Sequence, residues 1–68
     1  MLQLKATDCE NNEIHIGDYI KGAMSELWFI LKEKHKVVDI IFDKHREGYA
    51  QIEGKEGYWH IKQCIKVI

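Results

Sequence analysis

The residues of this 68-residue chain that bind metals or attack substrates most readily are two cysteines and four histidines. Two pairs are close in sequence, Cys9 with His15 and His60 with Cys64. Structural zinc sites favour closely spaced ligand pairs, such as C-x-x-C on a tight loop. Neither pair has that spacing, so the sequence predicts no metal and no other cofactor. In a reducing cytosol the two cysteines are expected to be free thiols, and a disulfide is the alternative if the strands that carry them are neighbours.

The pair His60 and Cys64 also offers a base beside a nucleophile. A catalytic cysteine needs that base together with a site for the oxyanion, and only His60 is close in sequence. The chain has no Gly-rich phosphate loop, no H-E-x-x-H motif and no paired carboxylates. A chain of this length has little room for a pocket that excludes water. We therefore predict a protein that is not an enzyme and has no catalytic residue.

Aromatic residues are concentrated in Glu47 to Ile61, where the phrase Glu-Gly-Tyr occurs twice, nine residues apart. Two short segments of alternating polarity, separated by glycines, predict a β-hairpin. Side chains alternate along a strand. One face should therefore carry Ala50, Ile52, Trp59 and Ile61, and the other should carry Tyr49, Gln51, Tyr58 and His60.

The second of these faces is a candidate contact surface for a protein partner, since aromatic rings are enriched at interface hot spots. The residues predicted to form it are Tyr49, Tyr58, His60, Val37 and Ile41. A different interpretation is equally open, namely that the tyrosines only cover neighbouring side chains of the sheet. A third interpretation is that the protein is not a monomer but forms a weak homo-oligomer through Val37 and Ile41.

Basic residues suggest an alternative function in nucleic-acid binding. The cations lie in two turns at opposite ends of one predicted strand, and they are Lys32, Lys34, Lys36, Lys44 and Arg46. Cations beside aromatic rings are typical of surfaces that bind single-stranded nucleic acid. Acidic residues alternate with these cations, however, and the net charge is −1. That mixture favours ordinary solvated turns.

Several short strands are predicted to position these residues. Alternating polarity indicates strands over residues 2–7, 14–16 and 19–21, with a bend at Gly17. Residues 37–42 form the clearest strand, with Val38, Ile40 and Phe42 inward and Val37, Asp39 and Ile41 outward. A last strand is expected at 65–68. Residues 27–31 are apolar throughout, and their aromatic and β-branched members favour a strand, while a helix capped by Ser25 is the alternative.

The composition fits a single small domain spanning residues 1–68. The chain is 46% hydrophobic, has no proline and is nearly neutral. It shows no basic leader followed by an apolar run, and no apolar stretch approaches the ~18 residues that span a bilayer. We therefore expect a cytoplasmic protein that does not bind membranes.

Short strands at roughly ten-residue spacing predict a small antiparallel all-β barrel of five to six strands. Three stretches resemble the SH3-like barrel domains of bacterial and phage-encoded proteins: Glu13 to Ile20, with its Gly17-Asp18 pair, the strand 37–42, and Gly57 to Ile65. The resemblance implies a short 3₁₀ turn over 61–64 and a phage or other mobile-element source. It supports a fold rather than an activity. The expected function is therefore a non-enzymatic interaction module whose partner is an unknown protein.

Overall fold

A computed structural model of the chain describes residues 4–24 and 26–68. Within them the elements are β1 (Tyr19–Gly22), α1 (Leu27–Ile30), β2 (His35–Phe42), β3 (Gly48–Ile52), β4 (Trp59–His60), the 3₁₀ turn η1 (Ile61–Gln63) and β5 (Cys64–Val67). All strand pairs are antiparallel. They form one five-stranded sheet in the order β4-β3-β2-β1-β5. The fold is thus mostly β, with one short helix and one 3₁₀ turn.

The sheet is open, so the predicted closed barrel is wrong. Its two edges are β4 and β5, which do not pair with each other. Strand β4 has only two residues, and η1 follows it directly. The chain then pairs β5 with β1, from Tyr19↔Val67 to Gly22↔Cys64.

The outer edge of β5 is covered by the loop around Asp8. The Cys9 N–H donates to the Cys64 carbonyl at 3.1 Å. The Lys66 N–H donates to the Asp8 carboxylate at 2.8 Å. The same buried carboxylate accepts the N–H groups of Glu10 and Asn12, each at 2.8 Å. An edge strand whose polar groups are satisfied in this way is not free to pair with another chain.

The segment before β1 is less regular than predicted. Its pairing in the described residues is a single bridge between Thr7 and Glu13, and the predicted strand residues 2 and 3 lie outside them. Ile14 is buried, whereas Ile16 is exposed. The alternation ends there because the chain turns: the His15 N–H donates to the Asp18 carboxylate at 2.8 Å, and Gly17 has a φ of +102°. The predicted bend at Gly17 is confirmed.

Strand β2 contains a β-bulge that reverses the sides of the sheet on which Val37 and Val38 were predicted to lie. Val37 pairs with Ile52 and Asp39 pairs with Gln51, so Val38 is an extra residue on β2. Val37 is therefore buried and Val38 is exposed, the reverse of the prediction. Beyond the bulge the prediction holds, because Ile40 and Phe42 pack against the core and Ile41 is exposed.

Residues 27–30 form a helix, so the favoured prediction of a strand is wrong. Leu27 and Leu31 lie one helical turn apart and are both buried. The Leu31 N–H donates to the Leu27 carbonyl at 2.9 Å, and the Leu31 carbonyl accepts the Gly22 N–H at 2.8 Å. Burying two leucines from one helical face leaves the residues between them on the surface. The predicted cap, Ser25, lies outside the described residues.

The hairpin of β3 and β4 is confirmed with its predicted faces. Ala50 pairs with Trp59, and Tyr49 pairs with His60. The core lies on the Ala50 side, and its buried apolar residues are Ala6, Ile14, Ile20, Leu27, Leu31, Val37, Ala50, Ile52, Ile61 and Cys64. The 3₁₀ turn expected near residues 61–64 is present as η1.

Candidate partner-binding surface

Three predicted surface residues form a row across the sheet, on the side opposite the core. Ile41 pairs with Tyr49, which pairs with His60. The rings of Tyr49 and His60 meet edge to face, with centroids 5.0 Å apart. We call the side of β2, β3 and β4 that carries this row the outer face. The structure thus brings Ile41, Tyr49 and His60 together as predicted.

Both tyrosine hydroxyls of the outer face and the Nε2 of His60 contact carboxylates of this chain, whereas the buried Nδ1 of His60 has no hydrogen-bond partner among the described residues. The Tyr49 hydroxyl donates to the Asp43 carboxylate at 3.2 Å, and the Tyr58 hydroxyl donates to the Asp39 carboxylate at 2.9 Å. Burial and the bond to Asp43 raise the pKa of Tyr49, and the bond to Asp39 raises the pKa of Tyr58. His60 Nε2 lies 3.3 Å from a Glu47 carboxylate oxygen. These contacts match the interpretation in which the tyrosines cover neighbouring side chains.

Val37 does not belong to the outer face. The bulge turns its side chain into the core, where it is fully buried. Ile41 is therefore left without the neighbour that the homo-oligomer hypothesis required. Three carboxylates, Asp39, Asp43 and Glu47, lie beside the polar groups of the outer face.

The thiol of Cys64 is buried and protonated at neutral pH. Its Sγ lies 3.6 Å from the His60 carbonyl oxygen. Burial, which is the largest cause, together with the neighbouring Cys9 and Asp8 raises its pKa to about 11. Because the thiolate is the reactive species, this thiol is a poor nucleophile. Cys9 and Cys64 are both free thiols. In the described part of the chain, no three His, Cys, Asp or Glu residues cluster so as to hold a metal ion.

A second surface, absent from the predicted set, lies on α1. Trp28, Phe29 and Ile30 are 59%, 68% and 43% exposed, and Met24 before them is 50% exposed. We call these four residues the helix surface. The sequence is compatible with it, since two leucines four residues apart fit a helix that buries only its leucine side, but the three apolar residues between them give no period that selects a helix.

The helix surface stands on a firmly attached segment. The Gly22 N–H bonds to Leu31, and the N–H groups of Ala23 and Met24 both donate to the Gln63 carbonyl, at 3.0 and 3.2 Å. Leu27 and Leu31 anchor the other side of the helix in the core. The backbone that carries the exposed side chains is therefore bonded to the rest of the fold at both ends of the segment.

Two cavities flank the helix surface and share Lys32. One, of about 230 Å³, is lined by Lys21, Gly22, Trp28 and Lys32. The other, of about 280 Å³, is lined by Phe29, Ile30, Lys32, Glu33, His35 and Lys55. Small-molecule sites typically measure roughly 300–1,000 Å³. Both cavities are therefore smaller than a typical small-molecule site.

The basic residues predicted to bind nucleic acid are divided between two ends of the sheet. Lys32, Lys34 and Lys36 are exposed at the start of β2, near the helix surface. Lys44 and Arg46 are exposed in the turn after β2. An eight-residue strand separates the two groups by roughly 20 Å. The five cations therefore do not form one patch.

Among the described residues, no helix is both long enough and apolar enough to cross a bilayer. A scan against protein-family models and searches of curated proteins and solved structures found no match to this chain.

Proposed function

We propose that this protein is a non-enzymatic interaction module that binds a protein partner through the helix surface. The observation that carries the proposal is the exposure of three consecutive large apolar side chains, Trp28, Phe29 and Ile30, on one turn of α1. Single apolar residues on a protein surface are ordinary, whereas several large exposed ones in succession favour an interaction site. Tryptophan, phenylalanine and methionine are also enriched at interfaces.

The outer face is the weaker candidate for the same function. Tyr49 and Tyr58 each direct their hydroxyl to a carboxylate of this chain, and His60 contacts Glu47. A partner would have to break these contacts, or bind without using the polar groups that form them. The side chains of the helix surface have no such polar groups to satisfy, apart from the indole N–H of Trp28, so a partner gains their burial at little cost.

We infer that the fold is an open relative of the SH3-like barrels. Support comes from the antiparallel sheet and from η1, which stands between β4 and β5 where the resemblance expects a 3₁₀ turn. This relationship assigns no partner, because domains with that fold have many different functions.

Site-specific photo-crosslinking, in cells of the organism that encodes the protein, tests the proposal. A photoreactive phenylalanine analogue replaces Phe29 in one variant and Ile16, which is equally exposed but distant in sequence, in another. We expect one discrete protein to crosslink from position 29 and not from position 16. The crosslink should disappear when Trp28→Ser is added. Equal crosslinking from both positions would reject the proposal.

Nucleic-acid binding is the second candidate, favoured by the position of Lys32, Lys34 and Lys36 at the same end of the sheet as Trp28 and Phe29. Aromatic rings beside cations stack bases and neutralise phosphates. A titration with labelled single-stranded and duplex oligonucleotides at low and high salt tests it, because phosphate contacts weaken as salt rises. Ile30 and Met24 favour a protein partner instead, since aliphatic side chains do not stack on bases.

A further inference from the structure

We propose that the segment bound by the helix surface is acidic, and that it places an apolar side chain beside Trp28 and a carboxylate against Lys32. This inference rests on the proposed function and adds the chemistry of the partner. Its basis is the set of charges around the helix surface, together with the two cavities that flank it.

The first cavity combines an apolar wall with cationic rims. The indole of Trp28 and the backbone of Gly22 form the wall, and Lys21 and Lys32 are the charged residues that line the cavity. Burial of an aliphatic or aromatic side chain against an indole is favourable because it removes apolar surface from water. Long lysine side chains add apolar surface from their methylene groups while keeping the ammonium in water.

Three lysines line the cavities beside the helix surface. Lys21, Lys32 and Lys55 form no ion pair with any carboxylate in residues 4–24 and 26–68. Elsewhere on the molecule, Lys66 lies 3.7 Å from the Asp18 carboxylate, and Lys62 bonds to Thr7 at 2.7 Å. The cavities that flank α1 are lined by three lysines and one acidic residue, Glu33. A partner that carries carboxylates would meet a complementary field.

The outer face already has carboxylates of its own beside its polar groups. The rings of the outer face lie beside Asp39, Asp43 and Glu47. An acidic segment would have to compete with these carboxylates for the donors of the outer face, whereas the lysines beside the helix surface have no such partner in the part of the chain that the structure describes.

Selection from a displayed peptide library tests the proposal. Wild-type protein is the bait, and the double variant Trp28→Ser/Phe29→Ser is the counter-bait, so that only peptides that need the helix surface survive. We expect the surviving peptides to combine aspartate or glutamate with an aromatic or large aliphatic residue. If the surviving peptides are neutral or basic, the inference that the bound segment is acidic is rejected, while the proposed function remains supported. If no peptide distinguishes the two baits, both proposals fail.

Two charge-reversal variants then locate the carboxylate. Lys32→Glu and Lys44→Glu change the net charge equally, but Lys32 lines both cavities and Lys44 lies in the turn after β2. We expect a selected peptide to bind Lys32→Glu at least about ten-fold more weakly and Lys44→Glu less than about three-fold more weakly. Equal weakening would contradict the assigned contact. A labelled single-stranded oligonucleotide that binds more tightly than the peptides would also overturn the proposal.

Discussion

Gly22 lies so close beneath Leu27 that a methyl group on its α-carbon would collide with the Leu27 carbonyl. The absence of a side chain at position 22 is therefore what allows α1 to rest directly on β1. Gly22 also donates its N–H to Leu31 at 2.8 Å, so the same residue fixes both ends of the helix. The position of the helix surface depends on this contact.

Gly22→Ala should displace α1. We expect the free energy of unfolding to fall by about 1–3 kcal/mol, because the colliding atom belongs to backbone rather than to a flexible side chain. In a Trp59→Phe background, where Trp28 is the single tryptophan, its emission should also shift. Gly54→Ala is the control, since an added methyl group meets nothing within 4 Å there. Its φ of +88° costs stability, but Trp28 emission should not change. A Gly22→Ala protein with unchanged stability and emission would contradict the contact.

The β-bulge makes two adjacent valines unequal. Val37→Ala removes buried methyl groups and should cost about 2 kcal/mol of unfolding free energy. Val38→Ala, on the exposed side, should cost less than about 1 kcal/mol. Both changes are valine to alanine in the same strand, so differences in strand propensity largely cancel. Denaturant unfolding of the two variants measures the gap, and equal costs, or the reverse order, would argue against the bulge.

Alternation of polarity predicted the faces of β3 and β4 correctly, since every residue from Tyr49 to Ile52 keeps the two-residue period. It failed at Val37 because a bulge inserts one residue, and two identical valines give no sign of which is extra. It failed at residues 27–31 for a different reason. A run of five apolar residues has no polar member to reveal a period, and only the packing of Leu27 and Leu31 against the sheet selects the helix.

The edge strand β5 should depend on the ionised form of Asp8. Burial alone would raise the pKa of this carboxyl, but the N–H groups of Lys66, Asn12 and Glu10, with the Asn12 amide, lower it on balance. A lowered pKa in the folded state means that Asp8 stabilises the fold above its unfolded value of roughly 3.9, and that this stability is lost as the pH falls through the lower folded value.

Asp8→Asn tests this dependence. At about pH 7 the variant should lose about 1–3 kcal/mol of unfolding free energy, because an amide N–H₂ replaces one of the two carboxylate oxygens and cannot accept the bonds which that oxygen accepted. At about pH 3 the difference from wild type should be smaller. Glu10→Gln, which alters an exposed carboxylate, is the matched control and should change stability by less than about 0.5 kcal/mol. A difference for Asp8→Asn that stays constant or grows on acidification would disprove the role of the charge.

The two thiols should react at different rates. Cys9 is partly exposed, whereas Cys64 is buried with a pKa raised to about 11. We expect a disulfide reagent to modify Cys9 on the order of ten-fold faster, or more, and the two rates to converge in denaturant. Cys9→Ser and Cys64→Ser assign the phases. A fast phase that persists in Cys9→Ser would show that Cys64 is accessible.

The central claim is that a protein partner binds the helix surface, and the affinity of the crosslinked partner for two matched double variants tests it most directly. Trp28→Ser/Phe29→Ser alters the helix surface, and Ile16→Ser/Ile41→Ser alters two exposed apolar residues elsewhere. Far-ultraviolet circular dichroism and thermal unfolding first establish that both variants fold. Truncation of interface hot spots costs about 2 kcal/mol or more, so the first variant should bind at least ~30-fold more weakly, and the second within about three-fold of wild type. Equal affinity of the first variant and wild type, or a larger loss in the second, would contradict the claim.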